Sequence, residues 1–359
     1  MSDQATHTHT EVLTSQQAKQ LVDEYMLDLL ADRIAQASAV HGNYKRLWEA
    51  IQNLYSAGGK RLRPYMTLLT YQAYADKPVE NVLPAAVAQE LLHQAMLIHD
   101  DIIDRDTVRY NVKNISGQYL DIYTDLAESR HFADSSAILA GDLLISEAHI
   151  QVAKSNTEPK ILTQVQQILN QEVFHVVGGE LLDTEASFSQ ESIIDPLTIA
   201  EQKTASYSFV GPLTMGATLA GADEVQIGLL KHFGTSIGIA YQLRDDIIGI
   251  FGNQVVTGKS NEGDIREGKR TLLIDEFYKR ANDDQKAQFE TTFGSQTATD
   301  TDIQTVRELL IETGAVAAIE TCIDSYKQQT IDHLAELSIP EPYREQFNIL
   351  IAQSLDRES

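Results

Sequence analysis

The sequence predicts an all-α protein. Through most of its 359 residues apolar positions recur at three and four spacing instead of alternating, which is the period of a helix with one buried face. Only 8 prolines interrupt that pattern, so long uninterrupted helices are permitted. A hydrophobic content of 43% supplies material for a large core.

Residues 1–16 are polar and rich in Thr, Gln and His, and read as a flexible arm; they contain no apolar run that would make a secretory signal or membrane anchor. Helical periodicity then predicts helices over 17–39, 44–55 and 64–75, with Pro64 suited to a first helical turn. Further helices are predicted over 83–104, 135–154, 160–182, 194–204 and beyond, 222–250, 275–290 and 301–337. Two stretches read as loops. Residues 111–134 mix Asn, Ser, Gly and acidic residues and read as a solvated connection, whereas 252–268 is rich in Gly, Lys, Asn and Asp. The second loop carries Lys259, with Lys269 just beyond it, directly after an acidic cluster, a placement suited to handling an anion.

Two aspartate-rich runs lie on predicted helices, His99-Asp100-Asp101-Ile102-Ile103-Asp104 and Gln242-Leu243-Arg244-Asp245-Asp246-Ile247-Ile248-Gly249. Residues four apart share a helix face while neighbours are turned by about 100°, so Asp100 and Asp104 point together. His93, seven residues before Asp100, falls on the same stripe; Leu91, Ala95, Ile98 and Ile102 form a separate apolar line. Carboxylates this close among apolar residues repel one another unless cations hold them, and hard oxygen ligands suit magnesium completed by phosphate oxygens. The two runs read as facing jaws of one metal site.

A formal net charge of −24 argues against nucleic acid or anionic membrane surfaces as partners. Cys322 is the only cysteine, which excludes an intrachain disulfide and fits a cytoplasmic setting. An acidic protein that binds phosphates needs local positive charge, and Gly58-Gly59-Lys60-Arg61-Leu62-Arg63-Pro64 supplies it in one run. Around Lys259 the chain nearly spells a nucleotide-hydrolase phosphate loop, but five residues separate Gly252 from Gly258 where that motif has four, and no strand precedes them. An ATPase or GTPase reading is therefore rejected. Glu180, Asp183, Lys203 and Thr204, each taken alone, read as ordinary polar residues near helix ends.

Taken in order, the basic run, the first aspartate motif with Arg109 downstream, the run Leu139-Ala140-Gly141-Asp142-Leu143-Leu144, Lys203-Thr204 and the second aspartate cluster resemble the trans-type polyprenyl diphosphate synthases. The resemblance covers about Lys45 to Thr271 and implies one helical bundle around a central cavity, spanning 17–355 as a single domain, usually a homodimer. It implies condensation of isopentenyl diphosphate with an allylic diphosphate, with three Mg2+ ions in the substrate complex. Asp100 and Asp104 resemble the first-motif ligands and Asp245 the principal second-motif ligand, supported by Asp101 and Asp246. Arg109, Lys203 and Lys259 would grip the allylic diphosphate, with Lys269 as a further contact. Lys60, Arg63 and His93 resemble the isopentenyl diphosphate clamp, and Thr204 and Gln242 stabilise developing positive charge. Ala95 and Met96 stand where bulky aromatics stop chain growth in the family, so a geranylgeranyl or longer product is expected. Contact with a membrane is expected only for release of that product.

Three positions depart from the family pattern. Gly249 stands where the second motif usually ends in aspartate, Tyr110 replaces the second arginine of an Arg-Arg pair, and Glu180 sits where glutamine is common. Loss of one clamp arginine costs about 1.5–3 kcal/mol of binding, the scale of a charge-assisted hydrogen bond. Competing readings are a catalytically weak prenyl-diphosphate-binding subunit of a heteromeric synthase and a terpene cyclase. The cyclase would leave Lys60, Arg63 and His93 without a second diphosphate to hold.

Overall fold

A computed structural model describes residues 11–188, 194–252 and 262–356. Thr14 starts the first helix with a reciprocal cap: its hydroxyl accepts from the Gln17 amide at 3.3 Å and its own amide donates to Gln17 Oε1 at 2.9 Å. Helix α1 (Ser15–Val40) thus begins two residues earlier than the periodicity suggested, and Leu13 before it is already buried. His41 ends α1 and caps α2 (Gly42–Ser56), its ring Nδ1 accepting from Asn43.

Helices α3 (Leu62–Ala75) and α4 (Leu83–Ile103) follow. Beyond α4 the chain doubles back through a two-stranded hairpin, Val108–Arg109 against Val112–Lys113, whose turn residues Tyr110 and Asn111 both have positive φ. The stretch 111–134, expected as a solvated connection, also holds α5 (Ile115–Ile122) and the start of α6 (Ser129–Ala153). Asn114 caps α5, accepting from Gly117 N at 2.9 Å, and Ile115 and Tyr119 are buried against the bundle. Short apolar stretches among polar residues hid this packing from periodicity.

Helix α7 (Pro159–Phe188) is followed by a single long helical rod: α8 (Pro196–Ile199), a π-helical segment (Ala200–Val210) and α9 (Gly211–Ala220). Helix α10 (Glu224–Phe251) is the central post. Leu230, Phe233, Ile237 and Ala240 enter the larger buried cluster, built from α1 to α7, the π-helical segment, α9 and the last two helices. Ile239, Leu243, Ile247 and Ile250 enter a second cluster with the later helices.

The last helices are α11 (Gly263–Glu267), α12 (Leu272–Arg280), α13 (Asp283–Glu290), α14 (Asp300–Glu312), α15 (Ala315–Glu336) and α16 (Glu341–Leu355). The helix expected over 275–290 breaks at Ala281, where Asn282 caps a new one. That expected over 301–337 breaks at Gly314, whose φ of 74° ends α14. Helix α16 was not anticipated; Phe347 from it stacks edge-on against Phe233. No helix among the described residues is long and apolar enough to cross a membrane.

Candidate active site

Asp100, Asp101 and Asp104 crowd the C-terminal end of α4, where the helix dipole already disfavours negative charge. The hairpin folds Arg109 back onto them. Its Nε donates to Asp101 Oδ1 at 2.7 Å and its Nη2 to Asp100 Oδ2 at 3.0 Å. Arg109 and Asp101 are only 5% and 2% exposed, so this is a buried pair whose separation would leave an uncompensated charge. Burial raises the Asp101 pKa to about 6 against the pull of Arg109.

Two lysines complete the neutralisation. Lys203 Nζ, on the π-helical segment, lies 2.6 Å from Asp183, 2.9 Å from Glu180 and 3.8 Å from Asp100. Gly179 makes this possible: a Cβ there would lie 2.3 Å from the Lys203 backbone nitrogen, so only glycine lets α7 approach so closely. Lys269 Nζ lies 3.3 Å from Glu267 and 3.5 Å from both Asp104 and Asp264. Burial opposes the charge of each lysine, but the surrounding carboxylates outweigh it and raise both pKa values.

Helix α10 carries Gln242, Asp245 and Asp246. Gln242 accepts from the Thr204 hydroxyl and donates to Asp246 Oδ1 at 2.8 Å, so Thr204, Gln242 and Asp246 form one chain of hydrogen bonds. Burial raises the Asp246 pKa to about 8; the Gln242 bond opposes this, while the charges of Asp264, Asp245 and Asp183 add to it. Arg244 turns to the other face of α10 and pairs bidentately with Glu320 at 2.6 and 2.8 Å, tying α10 to α15.

The basic run divides by role. Arg61, in a left-handed conformation with φ 54°, is buried: its Nε meets Asp23 at 2.7 Å, its Nη1 Glu90 at 3.1 Å, and its guanidinium lies 3.9 Å from the Tyr55 ring centroid. It holds α1, α2 and α4 together. Lys60 beside it is exposed. Arg63 donates to Ser208 Oγ at 2.6 Å and stacks 4.5 Å from the Tyr207 ring centroid, while its Nε is buried with no hydrogen-bond partner among the described residues. His93 lies 3.5 Å from the Tyr207 hydroxyl; burial, then the charges of Arg63, Arg109 and Arg61, push its pKa well down, so the ring is neutral. Tyr110 packs over Gly58 at the edge of this group.

A family model described as polyprenyl synthetase matches residues 44–310. The chain belongs to that family. It is 32% identical to a short chain isoprenyl diphosphate synthase of Methanocaldococcus jannaschii over 265 residues, covering 74% of this chain and 76% of the relative. It is 30% identical to a geranylgeranyl diphosphate synthase of Methanosarcina mazei over 286 residues, covering 79% and 82%. A geranylgeranyl pyrophosphate synthase of Corynebacterium glutamicum, solved with isoprenyl diphosphate and magnesium, superposes with a TM-score of 0.90 at 29% identity, covering 96% of this chain and 100% of that one. The all-α architecture is thus the one expected of this family.

The residues singled out from sequence fall into three groups in this polyprenyl synthetase fold. Asp100, Asp101, Asp104, Arg109, Lys203 and Lys269 are linked by ion pairs, and Thr204, Gln242 and Asp246 by hydrogen bonds. Arg63 and His93 converge on Tyr207, whereas Lys60 makes no ion pair among those described. Lys259 lies outside the described residues. Ala95 is fully buried and Met96 partly so. Glu180 and Asp183, read from sequence as ordinary polar residues, are instead the direct partners of Lys203. Arg61, read as part of one basic run, is a buried structural ion. Asp264 was not singled out at all.

Proposed function

We propose that the protein elongates an allylic diphosphate with isopentenyl diphosphate and releases a geranylgeranyl or longer trans-polyprenyl diphosphate. The observation that carries this reading is the Lys269 bridge to both Asp104 and Asp264, with Lys203 on Asp100: it gathers carboxylates and ammonium groups from distant parts of the chain into one polar cluster. Among the described residues no three His, Cys, Asp or Glu side chains are arranged to hold an ion unaided. Mg2+ itself keeps several water or phosphate ligands and takes only one or two protein carboxylates. Asp101 Oδ2, buried without a hydrogen-bond partner among the described residues, and the strained ionisation of Asp246 both favour a cation nearby.

In this reading Asp100, Asp104 and Asp245 would hold Mg2+, three ions in the substrate complex, with Asp101 and Asp246 behind them. Bound there, Mg2+ neutralises the leaving diphosphate and promotes ionisation of the allylic C–O bond. Arg109, Lys203, Lys269 and Lys259 bind the allylic diphosphate; Lys203 and Lys269 hold the carboxylates until its phosphates arrive. Lys60, Arg63 and neutral His93 position isopentenyl diphosphate, the free Arg63 Nε offering one donor. The Thr204 and Gln242 dipoles stabilise positive charge at the allylic carbon. A new C–C bond forms from the isopentenyl double bond, and the proton lost passes to the departing diphosphate. The buried walls keep water from intercepting the cation.

Small Ala95 and flexible Met96 leave room for chains beyond fifteen carbons. An exposed apolar stripe on α7, Phe174, Val177 and Leu181, supports a homodimer. A cytoplasmic setting belongs to the same proposal. The test is incubation of purified protein with Mg2+, radiolabelled isopentenyl diphosphate and allylic primers of several lengths, followed by sizing of the products. Products of twenty or more carbons are expected. No incorporation with any primer would overturn the reading, and farnesyl diphosphate alone would remove the chain-length claim.

A further inference from the structure

Gly249 leaves the second aspartate motif without its last carboxylate, one turn beyond Asp245. That space is not empty. A Cβ built on Gly249 would lie 2.0 Å from Oδ2 of Asp264 and 3.1 Å from its Cγ, so the Asp264 carboxylate occupies the room a side chain at 249 would need. We propose that Asp264 supplies, from the neighbouring helix α11, the carboxylate that the second motif lacks.

Several features hold Asp264 in that place. Ile265, next to it, is fully buried in the second cluster, and the Ile265 carbonyl accepts from Gly294 N at 2.8 Å. Arg266 donates to the Ala298 carbonyl at 2.6 Å and to Glu262 at 2.7 Å, pinning the other face of the same short helix. The Asp264 carbonyl accepts from Lys269 N at 3.0 Å. The carboxylate is thus presented by anchored backbone, and a rigid support shell is what orients a ligand group toward a cation.

The charge also reaches where the missing group would act. Lys269 joins Asp264 Oδ1 to Asp104 Oδ2 on the opposite wall, each at 3.5 Å. Asp264 therefore faces both jaws. The pairing with Lys269 alone does not account for its place, because Glu267 and Asp104 already compensate that ammonium.

This inference rests on the proposed prenyl-diphosphate chemistry, and its test separates the two. Mn2+ binding is followed by the electron paramagnetic resonance of free Mn2+, in the presence of an unreactive thiolo analogue of geranyl diphosphate. Four proteins are compared: wild type, Asp264→Asn, Asp264→Ala, and the exchange Gly249→Asp with Asp264→Ala, which clears the crowded space before filling it from α10. Thermal unfolding confirms that each is folded. Both single variants are expected to lose about tenfold or more in Mn2+ affinity, the scale for groups supporting a metal site, with the exchange regaining most of it. Single variants that bind like wild type overturn the role of Asp264. So does a loss that the folded exchange variant fails to regain, which would leave Asp264 as an anchor of α11 only. Wild-type protein that binds no Mn2+ with the analogue overturns the functional reading together with this one.

Discussion

The two acidic walls share a residue pattern but balance their charge differently. On α4, each aspartate of the first motif has a cation in reach: Arg109 for Asp100 and Asp101, Lys203 for Asp100, Lys269 for Asp104. On α10, Asp246 has the neutral Gln242 amide as partner and other carboxylates as neighbours, and Arg244 points away to Glu320. The first wall is largely compensated by protein cations, and its raised acid, Asp101, reaches only about 6. The second carries a buried acid whose ionisation is opposed, and so has more to gain from a bound cation. The comparison teaches that the same motif can be a stable scaffold on one helix and the responsive half of a site on the other.

The sharpest way to break this comparison is to remove one carboxylate from each wall. Asp100→Ala removes one of the partners of Arg109 and of Lys203, which keep Asp101 and Asp183, so it should lower kcat by about 10³-fold and reduce stability by about 1.5–3 kcal/mol, the scale of a hydrogen bond between charged groups. Asp245→Ala should lower kcat by about 10²-fold or more. Steady-state kinetics checks both variants and thermal unfolding the first; an Asp100→Ala protein as stable as wild type would contradict the compensation of the first wall.

A smaller effect probes the first wall alone. Gly179→Ala forces α7 off the Lys203 backbone and should destabilise by about 1–3 kcal/mol while lowering activity, since Glu180 and Asp183 move with it. Denaturant unfolding reads the first and initial rates the second. Unchanged stability would mean that the close approach is not required.

The second wall is sharpened by pH. The Asp246 pKa is raised to about 8 in the folded chain, far above an ordinary carboxyl near 4, so the folded state holds a proton that the unfolded state releases. Its contribution is fully present below pH ~4 and is lost as pH rises toward 8. In chelator, wild type should therefore lose stability across that window relative to Asp246→Asn, whose side chain cannot ionise. Asp101 and Glu172, also raised by burial, titrate in both proteins and cancel in the difference. Parallel stability curves would remove the claim that Asp246 is strained.

Much of the first wall was legible from sequence because it depends on one helix: four-residue spacing alone aligns Asp100 with Asp104, and His93 falls on the same stripe. The boundaries of α3, α4 and α10 were readable for the same reason, their apolar faces being long and regular. What escaped depends on contacts between segments. Glu180 and Asp183 reach Lys203 only because Gly179 admits the π-helical segment, and a three-four apolar pattern cannot distinguish that wider coil from an α-helix. Arg61 and Arg63 look equivalent in the basic run, but the left-handed turn at Arg61 sends it inward to Asp23 and Glu90. Asp264 sat in a segment read as loop, and its meaning emerges only from the space above Gly249. The hairpin that returns Arg109 to α4 lies in a stretch whose polar composition concealed buried Ile115 and Tyr119.

The central claim is that the opposed carboxylates clasp divalent ions against a prenyl diphosphate. A crystal structure of the protein with Mg2+ and an unreactive allylic diphosphate tests it most directly. The account predicts Mg2+ between the walls, with oxygens of Asp100, Asp104 and Asp245 at about 2.0–2.1 Å and the diphosphate completing the coordination. Diphosphate bound elsewhere, or these three aspartates still held only by protein cations with ligand present, would contradict it.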